Sequence, residues 1–321
     1  MVRLFLIVLG WPLTVLLLVT LHDWYLAEVR EPPREVVYTR SVQFPSAHRA
    51  AVVALVRFER LAPGEQEALV AGLRGRILTL DAWLERLRGA HYRVLCLGEF
   101  HLPATRRFLA TRLLPRYPAD ALLLETTAAD LDAMARETAA GRPYVPLLNA
   151  DIGAVLRAAH VGNAAVAVHG IEETLVQRRA RLSRAAPEAT RDRALARSFW
   201  AQFRPGARHV ILFGALHCSD QPHWLYHYLR EQSPPRDAVR MLNVQVLGEH
   251  QTGALEAFTW FLGRVGLLPD GDYVIADTRG LPPEIHQWFG VLAQDVLAPF
   301  AAVVVFRQPI VRAPPRTTAA R

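Results

Sequence analysis

The chain lacks lysine entirely and has only two cysteines among its 321 residues. Because lysine is absent, all 37 basic residues are arginines, and the formal net charge is +7. No basic run is interleaved with aromatic residues, and no nucleic-acid-binding motif is present. The charge is therefore interpreted as a solvated, arginine-rich surface, and we expect no nucleic-acid partner.

Cysteine is too rare here for a disulfide framework or a cysteine-rich zinc site. Cys96 and Cys218 each lie beside one of two similar motifs that follow strand-like runs. We expect both to be small, buried, hydrophobic residues. If the two strands are neighbours, a redox pair or a pair of metal ligands is the alternative.

Several catalytic motifs are also missing. The sequence contains no Gly-x-Ser-x-Gly elbow, no Walker loop, no Gly-x-Gly-x-x-Gly and no His-Glu-x-x-His. The chain therefore lacks the key residues of classical serine hydrolases, P-loop proteins, Rossmann dinucleotide enzymes and compact zinc sites.

One long hydrophobic run is present. Residues 4–21 carry no charge, and about 18 apolar residues just suffice to cross a bilayer. Because no cleavage site follows, we interpret residues 1–22 as a transmembrane signal anchor, with a cleaved signal peptide as the alternative. This predicts a single-pass membrane protein whose remaining domain lies outside the cytoplasm.

The rest of the chain divides into three parts by pattern. Residues 23–90 form a linker and a helical preface, residues 91–307 alternate between strand-like and helical stretches, and residues 308–321 form a disordered tail. The alternation predicts an α/β domain with a mostly parallel central sheet and helices on both faces. The expected strands are 92–97, 120–125, 164–169, 208–213, 240–247, 272–276 and 301–306.

Two of these strands end in the same Gly-x-x-His pattern, which places His101 and His217 just beyond them. Glu99 shares the first motif, and Glu125 and Glu172 follow two further strands. In open α/β sheets ligands bind at the carboxyl ends of the strands. We therefore expect one cleft that gathers these imidazoles and carboxylates.

Such a set can activate water by acid–base catalysis or can ligate a divalent metal. Glu99 is the expected general base with His101 beside it, His217 is expected to polarise the substrate or act as an acid, and Glu125 to orient a histidine or a metal. Glu99, His101 and His217 are the candidate metal ligands.

Arg191 opens a charged helical segment and is a candidate anion clamp, together with Glu172 as a substrate-binding residue. From the spacing alone, a solvated charged turn is the favoured interpretation of Arg191. His223 and His227 lie four residues apart among aromatic residues. We interpret them either as an iron or haem patch or as an ordinary surface face.

These motifs, taken in order, resemble the superfamily that contains the erythromycin esterases, the ChaN haem-binding proteins and the Tiki/TraB/GumN proteins. The resemblance covers roughly residues 90–307. It rests on Leu97 to His101, on Leu122 to Glu125, on Arg191 to Ala196, on Gly214 to His217, and on the closing strand Ala301 to Phe306.

The resemblance implies an α/β domain in which Glu99, His101, Glu125 and His217 line one pocket. In the esterase branch these groups activate water to open a lactone, in the Tiki branch they support metal-dependent proteolysis, and the ChaN branch binds haem.

The leading hypothesis from the sequence is a membrane-anchored hydrolase of ester, lactone or peptide bonds, with or without a metal ion. The alternative is a non-enzymatic haem- or iron-binding protein, and a scaffold without activity is a third. The expected partners are a membrane through the N-terminal helix and a small-molecule, haem or peptide ligand. The sequence leaves the oligomeric state open.

Overall fold

A single eight-stranded sheet forms the centre of the protein. The computed structural model describes residues 45–139, 152–183, 188–233 and 239–307, all within the unit Arg40–Gln308. The strands are β1 (Ile77–Thr79), β2 (Val94–Glu99), β3 (Ala121–Leu124), β4 (Ala167–Gly170), β5 (His209–Gly214), β6 (Met241–Gly248), β7 (Tyr273–Ala276) and β8 (Ala302–Phe306). Their order across the sheet is β1-β7-β8-β6-β2-β5-β3-β4.

The α/β class is confirmed, but the sheet is mixed rather than mostly parallel. Strands β8, β6, β2, β5, β3 and β4 run parallel to one another. Strand β7 is antiparallel to both of its neighbours, β1 and β8. Tyr273, its first residue, lies opposite Val305 near the end of β8, so β7 has to run the other way. Hydrophobic alternation carries no information on strand direction, which is why the sequence missed this.

Twelve α-helices surround the sheet among the described residues. They are α1 (Pro45–Glu59), α2 (Pro63–Arg74), α3 (Leu80–Gly89), α4 (Pro103–Phe108), α5 (Ala128–Ala139), α6 (Ile152–Gly162), α7 (Leu175–Ser183), α8 (Glu188–Gln202), α9 (Leu225–Glu231), α10 (Gly253–Arg264), α11 (Pro283–Trp288) and α12 (Gly290–Leu292). Shorter π- and 3₁₀-helical turns occur at Leu109–Leu113, Leu114–Arg116, Ala215–Cys218, Thr278–Gly280 and Ala293–Leu297.

The segment expected to be a helical preface also contributes a strand. Helix α2 ends at Arg74, and Ile77–Thr79 then pairs with β7 at the edge of the sheet. Thr79 starts α3, because its side-chain oxygen accepts a hydrogen bond from the Ala82 N–H at 3.1 Å. Leu69 and Leu73 of α2 pack with core residues of β7 and β8, so this region is part of the same unit as the sheet.

Helices cover both faces of the sheet, as the sequence predicts. In β2, Leu95 and Leu97 face the cluster that contains Trp83 of α3 and Phe108 of α4. The alternate residue Cys96 faces the other side, in the cluster that contains Phe199 of α8. This period of two sends successive side chains to opposite layers, so β2 is buried on both faces.

The predicted membrane-spanning helix is not found in the part of the chain that the structure describes. Among the described residues, no helix is long and apolar enough to cross a membrane. The longest described helices, α1 and α8, have 15 residues, whereas a bilayer requires about 20. Residues 1–22, on which the expectation rests, lie outside the described residues, as does the predicted tail 308–321.

The two cysteines form a disulfide, Cys96–Cys218, so the expectation of two separate buried thiols is wrong. Cys96 lies in β2, and Cys218 ends the 3₁₀ turn after β5. Since β2 and β5 are adjacent parallel strands, the chain brings the two residues together although 122 positions separate them. The bond ties β2 to the turn that carries His217.

Candidate functional site

The candidate site lies at the carboxyl ends of three adjacent parallel strands, β2, β5 and β3. Glu99 is the last residue of β2 and is in register with Gly214, the last residue of β5. Glu125 directly follows β3, and His217 lies in the 3₁₀ turn after β5. Strand ends that were predicted to converge are therefore neighbours in the sheet.

Glu125 is the centre of the network. Its Oε2 accepts a hydrogen bond from the Gly214 N–H at 2.7 Å and lies 3.4 Å from Nε2 of His101. Its Oε1 accepts from Nη2 of Arg191 at 3.2 Å and lies 3.6 Å from Nε2 of His217. One carboxylate thus contacts a backbone N–H, a guanidinium and both histidines of the Gly-x-x-His motifs.

These contacts keep Glu125 ionised. Burial acts to raise the pKa of its carboxyl, but the His101 hydrogen bond, the electrostatic effect of His217 and the Gly214 N–H outweigh burial. The pKa of Glu125 falls to about 2. At neutral pH the carboxylate is therefore a fixed negative charge between two imidazoles.

His101 is the most exposed member of the network, with 43% of its side chain accessible. Its Nδ1 lies 3.1 Å from Oε1 of Glu99, and its Nε2 faces Glu125. Hydrogen bonds to Glu125 and to Glu99 raise the pKa of His101 to about 9. The two carboxylates therefore favour the protonated, cationic form of the ring at neutral pH.

The backbone of His101 is unusual as well. Its φ is +54°, in the left-handed region that non-glycine residues seldom adopt. This conformation turns the chain sharply between the end of β2 and the start of α4 at Pro103. The turn directs the imidazole back towards Glu99 instead of continuing the strand.

Arg106 is a member of the site that sequence reasoning missed. Its Nε donates to Oε1 of Glu99 at 3.0 Å, and its Nη2 lies 3.0 Å from Nδ1 of His101. Only 4% of the Arg106 side chain and 2% of Glu99 are exposed. In the sequence Arg106 and Arg107 look alike, and only the face of α4 on which each lies separates the buried residue from the exposed one.

Glu99 itself is almost fully enclosed. Oε1 is shared by His101 and Arg106, whereas the buried Oε2 has no hydrogen-bond partner among the described residues. Its position favours holding the His101 and Arg106 side chains in place over direct access to a substrate in the cleft.

Arg191 and Glu172 form the second charged pair of the network. Nε of Arg191 donates to Oε1 of Glu172 at 3.1 Å, and its Nη2 contacts Oε2 of the same carboxylate. Burial alone would lower the pKa of Arg191, but Glu172, Glu125 and Asp192 raise it above its ordinary value. Arg191 is therefore a largely buried cation between Glu125 and Glu172, and its interpretation as a solvated turn residue is wrong.

His217 is oriented by Asp192, the second residue that the sequence did not identify. Nδ1 of His217 lies 2.6 Å from Oδ2 of the buried Asp192. On the other side of the ring, Nη1 of Arg191 lies 3.0 Å from Nε2. Since a guanidinium only donates, these distances assign the Nδ1–H to Asp192 and a lone pair to Nε2. In the sequence, only its position next to Arg191 could have pointed to Asp192 as a site residue.

Glycine is required where the two motifs meet. A Cβ atom on Gly214 would lie 3.1 Å from Nε2 of His101, 3.4 Å from Oε2 of Glu125 and 3.5 Å from Cδ2 of His217. A Cβ on Gly98 would lie 2.9 Å from the backbone Cα of Ala215. The glycines therefore allow the close approach of the groups that the motifs deliver.

The donor set does not fit a metal ion. Within the described ranges, no group of three histidine, cysteine, aspartate or glutamate side chains has the geometry to hold one. Arg106 donates to Glu99, and Arg191 approaches Nε2 of His217. These guanidiniums point at the lone pairs that a cation would need, so Glu99, His101 and His217 do not form the expected metal site.

The His223 and His227 segment is mainly a packing face. Tyr226 and Tyr228 of α9 are buried, and Nδ1 of His223 lies 3.5 Å from the Tyr228 hydroxyl. Trp224 packs edge-on against the His217 ring at 5.6 Å. The aromatic residues of this segment thus line and support the site.

No protein-family model matches the chain, and no curated protein matches it either. Among solved structures, one described as bacterial protein toxins is 16% identical to this chain, with a TM-score of 0.33. The match covers 63% of this chain and 43% of the other chain. The RRSP effector domain of a MARTX toxin from Vibrio vulnificus is 17% identical, with a TM-score of 0.31. That match covers 57% of this chain and 40% of the other chain. The chain spans less than half the length of either structure, and these overlaps carry no argument about its fold or function.

Proposed function

We propose that the protein is a hydrolase that adds water to a carbonyl carbon, in an ester, a lactone or a peptide bond. The observation that carries this proposal is the Asp192–His217 pair. A buried carboxylate 2.6 Å from Nδ1 fixes the ring so that Nε2 faces Glu125 and Arg191. An imidazole held in this way acts as a general base once Nε2 is released from Arg191.

The proposed reaction uses the two histidines in different roles. Nε2 of His217 takes a proton from water while the water oxygen bonds to the carbonyl carbon. The carbonyl oxygen becomes an oxyanion, and the cationic ring of His101 stabilises its charge. His217 then returns the proton to the leaving group as the bond from carbon to that group breaks.

Arg191 couples substrate binding to the release of the base. It donates to Nε2 of His217 and to the carboxylates of Glu125 and Glu172. An acceptor oxygen on the substrate draws the guanidinium away and exposes the Nε2 lone pair. This assignment keeps Arg191 and Glu172 as substrate-binding residues.

Glu99 has a supporting role in this proposal, unlike the general-base role expected from its motif. Its enclosed Oε1 already binds Arg106 and His101. The carboxylate therefore acts as a positioning residue that keeps His101 protonated and correctly oriented.

The disulfide favours an oxidising compartment for this reaction. Structural disulfides persist outside the cytosol and are rare inside it. The Cys96–Cys218 bond lies directly beside His217, so the site is expected to be assembled where thiols are oxidised.

The test is a screen of the purified full chain against p-nitrophenyl esters, aromatic lactones and fluorogenic peptides. For any substrate that is turned over, we expect His217→Gln to lower kcat about 10²–10⁴-fold, the usual contribution of a general base. Asp192→Asn is expected to lower kcat with little change in KM. The matched control is His160→Gln, because His160 lies exposed on α6.

Equal activity of His217→Gln and the unmodified chain would contradict the proposal. A titration with haemin supplies the opposing outcome, since a Soret shift that disappears in His101→Ala or His217→Ala, without turnover, would favour haem binding.

A further inference from the structure

A cavity opens at the edge of the sheet opposite the candidate active site. It has a volume of about 330 Å³ and lies beside the residues that precede three strands. Arg93 precedes β2, Asp120 precedes β3 and Arg208 precedes β5. The strands that carry the candidate active site at their carboxyl ends thus begin at this cavity. Its volume is at the lower end of the range for small-molecule sites.

The lining of the cavity is strongly basic. Three arginines, Arg88, Arg93 and Arg208, line it with one carboxylate, Asp120, and Arg88 is paired with Glu85 outside the lining. Oδ2 of Asp120 accepts the Arg208 backbone N–H at 2.7 Å and lies 3.8 Å from Nε of the same residue. Asp120 therefore offsets one guanidinium at most.

Arg93 has no carboxylate partner among the described residues. Its Nη1 donates to the backbone carbonyl of Gly206 at 2.6 Å, and Nη2 of Arg88 donates to the carbonyl of Arg116 at 3.1 Å. Each contact uses one of the five donors of a guanidinium. Arg88 is also paired with Glu85 through Nη1, so Arg93, held only by a loop carbonyl among the described residues, is the guanidinium that retains donors and positive charge for an anion.

The remaining lining consists of Leu87, His91, Tyr92, Tyr117 and Gly206, so aromatic rings lie beside the arginines. The guanidinium of Arg240 lies 5.2 Å from the centre of the Tyr92 ring and holds that ring from one side. Tyr117 is buried, and burial raises the pKa of its phenol, while Arg208 and Arg93 act against this.

We propose that this cavity binds a small dianion that carries a flat apolar body, as an aromatic phosphate monoester does. The guanidiniums of Arg93 and Arg208 would bind the phosphate oxygens, and the Leu87, Tyr92 and Tyr117 wall would contact the ring. The site is distinct from the hydrolytic cleft, because it lies at the amino ends of the same parallel strands.

The experiment is calorimetric titration of the full chain with phenyl phosphate, inorganic phosphate and phenol. We expect phenyl phosphate to bind most tightly, inorganic phosphate more weakly and phenol not at all. Arg93→Gln and Arg208→Gln are each expected to weaken phenyl phosphate binding at least about tenfold, because a charge-assisted hydrogen bond is lost. Arg57→Gln, an exposed change on α1, is the matched control and should bind normally.

Arg208→Gln keeps the test decisive if Arg93→Gln fails to fold, since 35% of the Arg208 side chain is exposed. Unchanged binding in both variants would overturn the proposal, as would the absence of phenyl phosphate binding. Binding that is lost in Arg191→Gln but kept in Arg93→Gln would place the anion at the opposite edge and would also overturn it. Equal affinity for phosphate and phenyl phosphate would overturn the role of the aromatic wall.

Discussion

At the scale of single residues, the site depends on which charged side chains are buried. Glu99, Glu125, His101 and His217 were identified because short motifs placed them just beyond predicted strands. Arg106 was not, because burial by the fold and not residue type distinguishes it from Arg107. The apolar pattern of a single sequence predicts where a strand ends. It predicts which helix residues are buried only where the helix has a clear apolar stripe.

The pKa of His101 provides a test at this scale. We expect its ring to titrate near pH 9 in the unmodified chain and closer to the ordinary value of about 6.5 in Glu125→Gln, since the Glu125 hydrogen bond is the largest cause of the shift. Histidine ring signals followed by NMR between pH 5 and 10 measure both values.

The same shift affects stability in a defined direction. Because the pKa is raised on folding, the stabilisation is complete below about pH 6.5 and is lost as the pH rises through about 9. Glu125 acts in the opposite sense, and its contribution disappears as the pH falls from about 4.5 through about 2. A His101 pKa that Glu125→Gln leaves unchanged would contradict the network described above.

At the scale of elements, most strands and helices after residue 91 follow from the apolar pattern. The expected strand 240–247 is β6 (Met241–Gly248), and 301–306 is β8 (Ala302–Phe306). The edge strand β1 was missed, because three residues within a helical period carry too little pattern.

Glycine substitutions test how closely two elements approach. In Gly98→Ala, the new Cβ would lie 2.9 Å from the Ala215 backbone, which cannot move aside easily. We expect the free energy of unfolding to fall by about 1–3 kcal/mol, the usual cost of overpacking. Gly214→Ala meets flexible side chains of the site at 3.1 Å or more, so it should lower activity more than stability.

Gly263→Ala supplies the matched control. Gly263 lies within α10, and its nearest neighbour would be a Leu268 side-chain carbon at 3.6 Å. The change should be neutral or stabilise by roughly 0.5–1 kcal/mol. Chemical denaturation of the three variants decides the matter, and equal stability of Gly98→Ala and Gly263→Ala would refute the close contact between β2 and the turn after β5.

At the scale of the whole molecule, the disulfide and the sheet order act together. Strand β2 lies at the middle of the sheet, and the elements from α4 to β5 lie between the two cysteines in the chain. The order β6-β2-β5-β3-β4 brings distant segments side by side. The sequence could predict that the strands exist, but their order follows from long-range packing that no local pattern encodes.

Removal of the disulfide is therefore expected to lower stability substantially. The bond closes a loop across 122 positions, and the chain-entropy model gives up to about 5 kcal/mol for a loop of this length. Cys96→Ala, Cys218→Ala and the double variant should lose similar amounts, because each removes the same bond. Guanidinium denaturation with and without reductant measures the loss, and the reduced unmodified chain should approach the variants. The disulfide is contradicted if reductant leaves the denaturation midpoint unchanged and alkylation finds two free thiols before treatment. In that case the cysteines are separate buried side chains, and only packing holds β2 against the turn that carries His217.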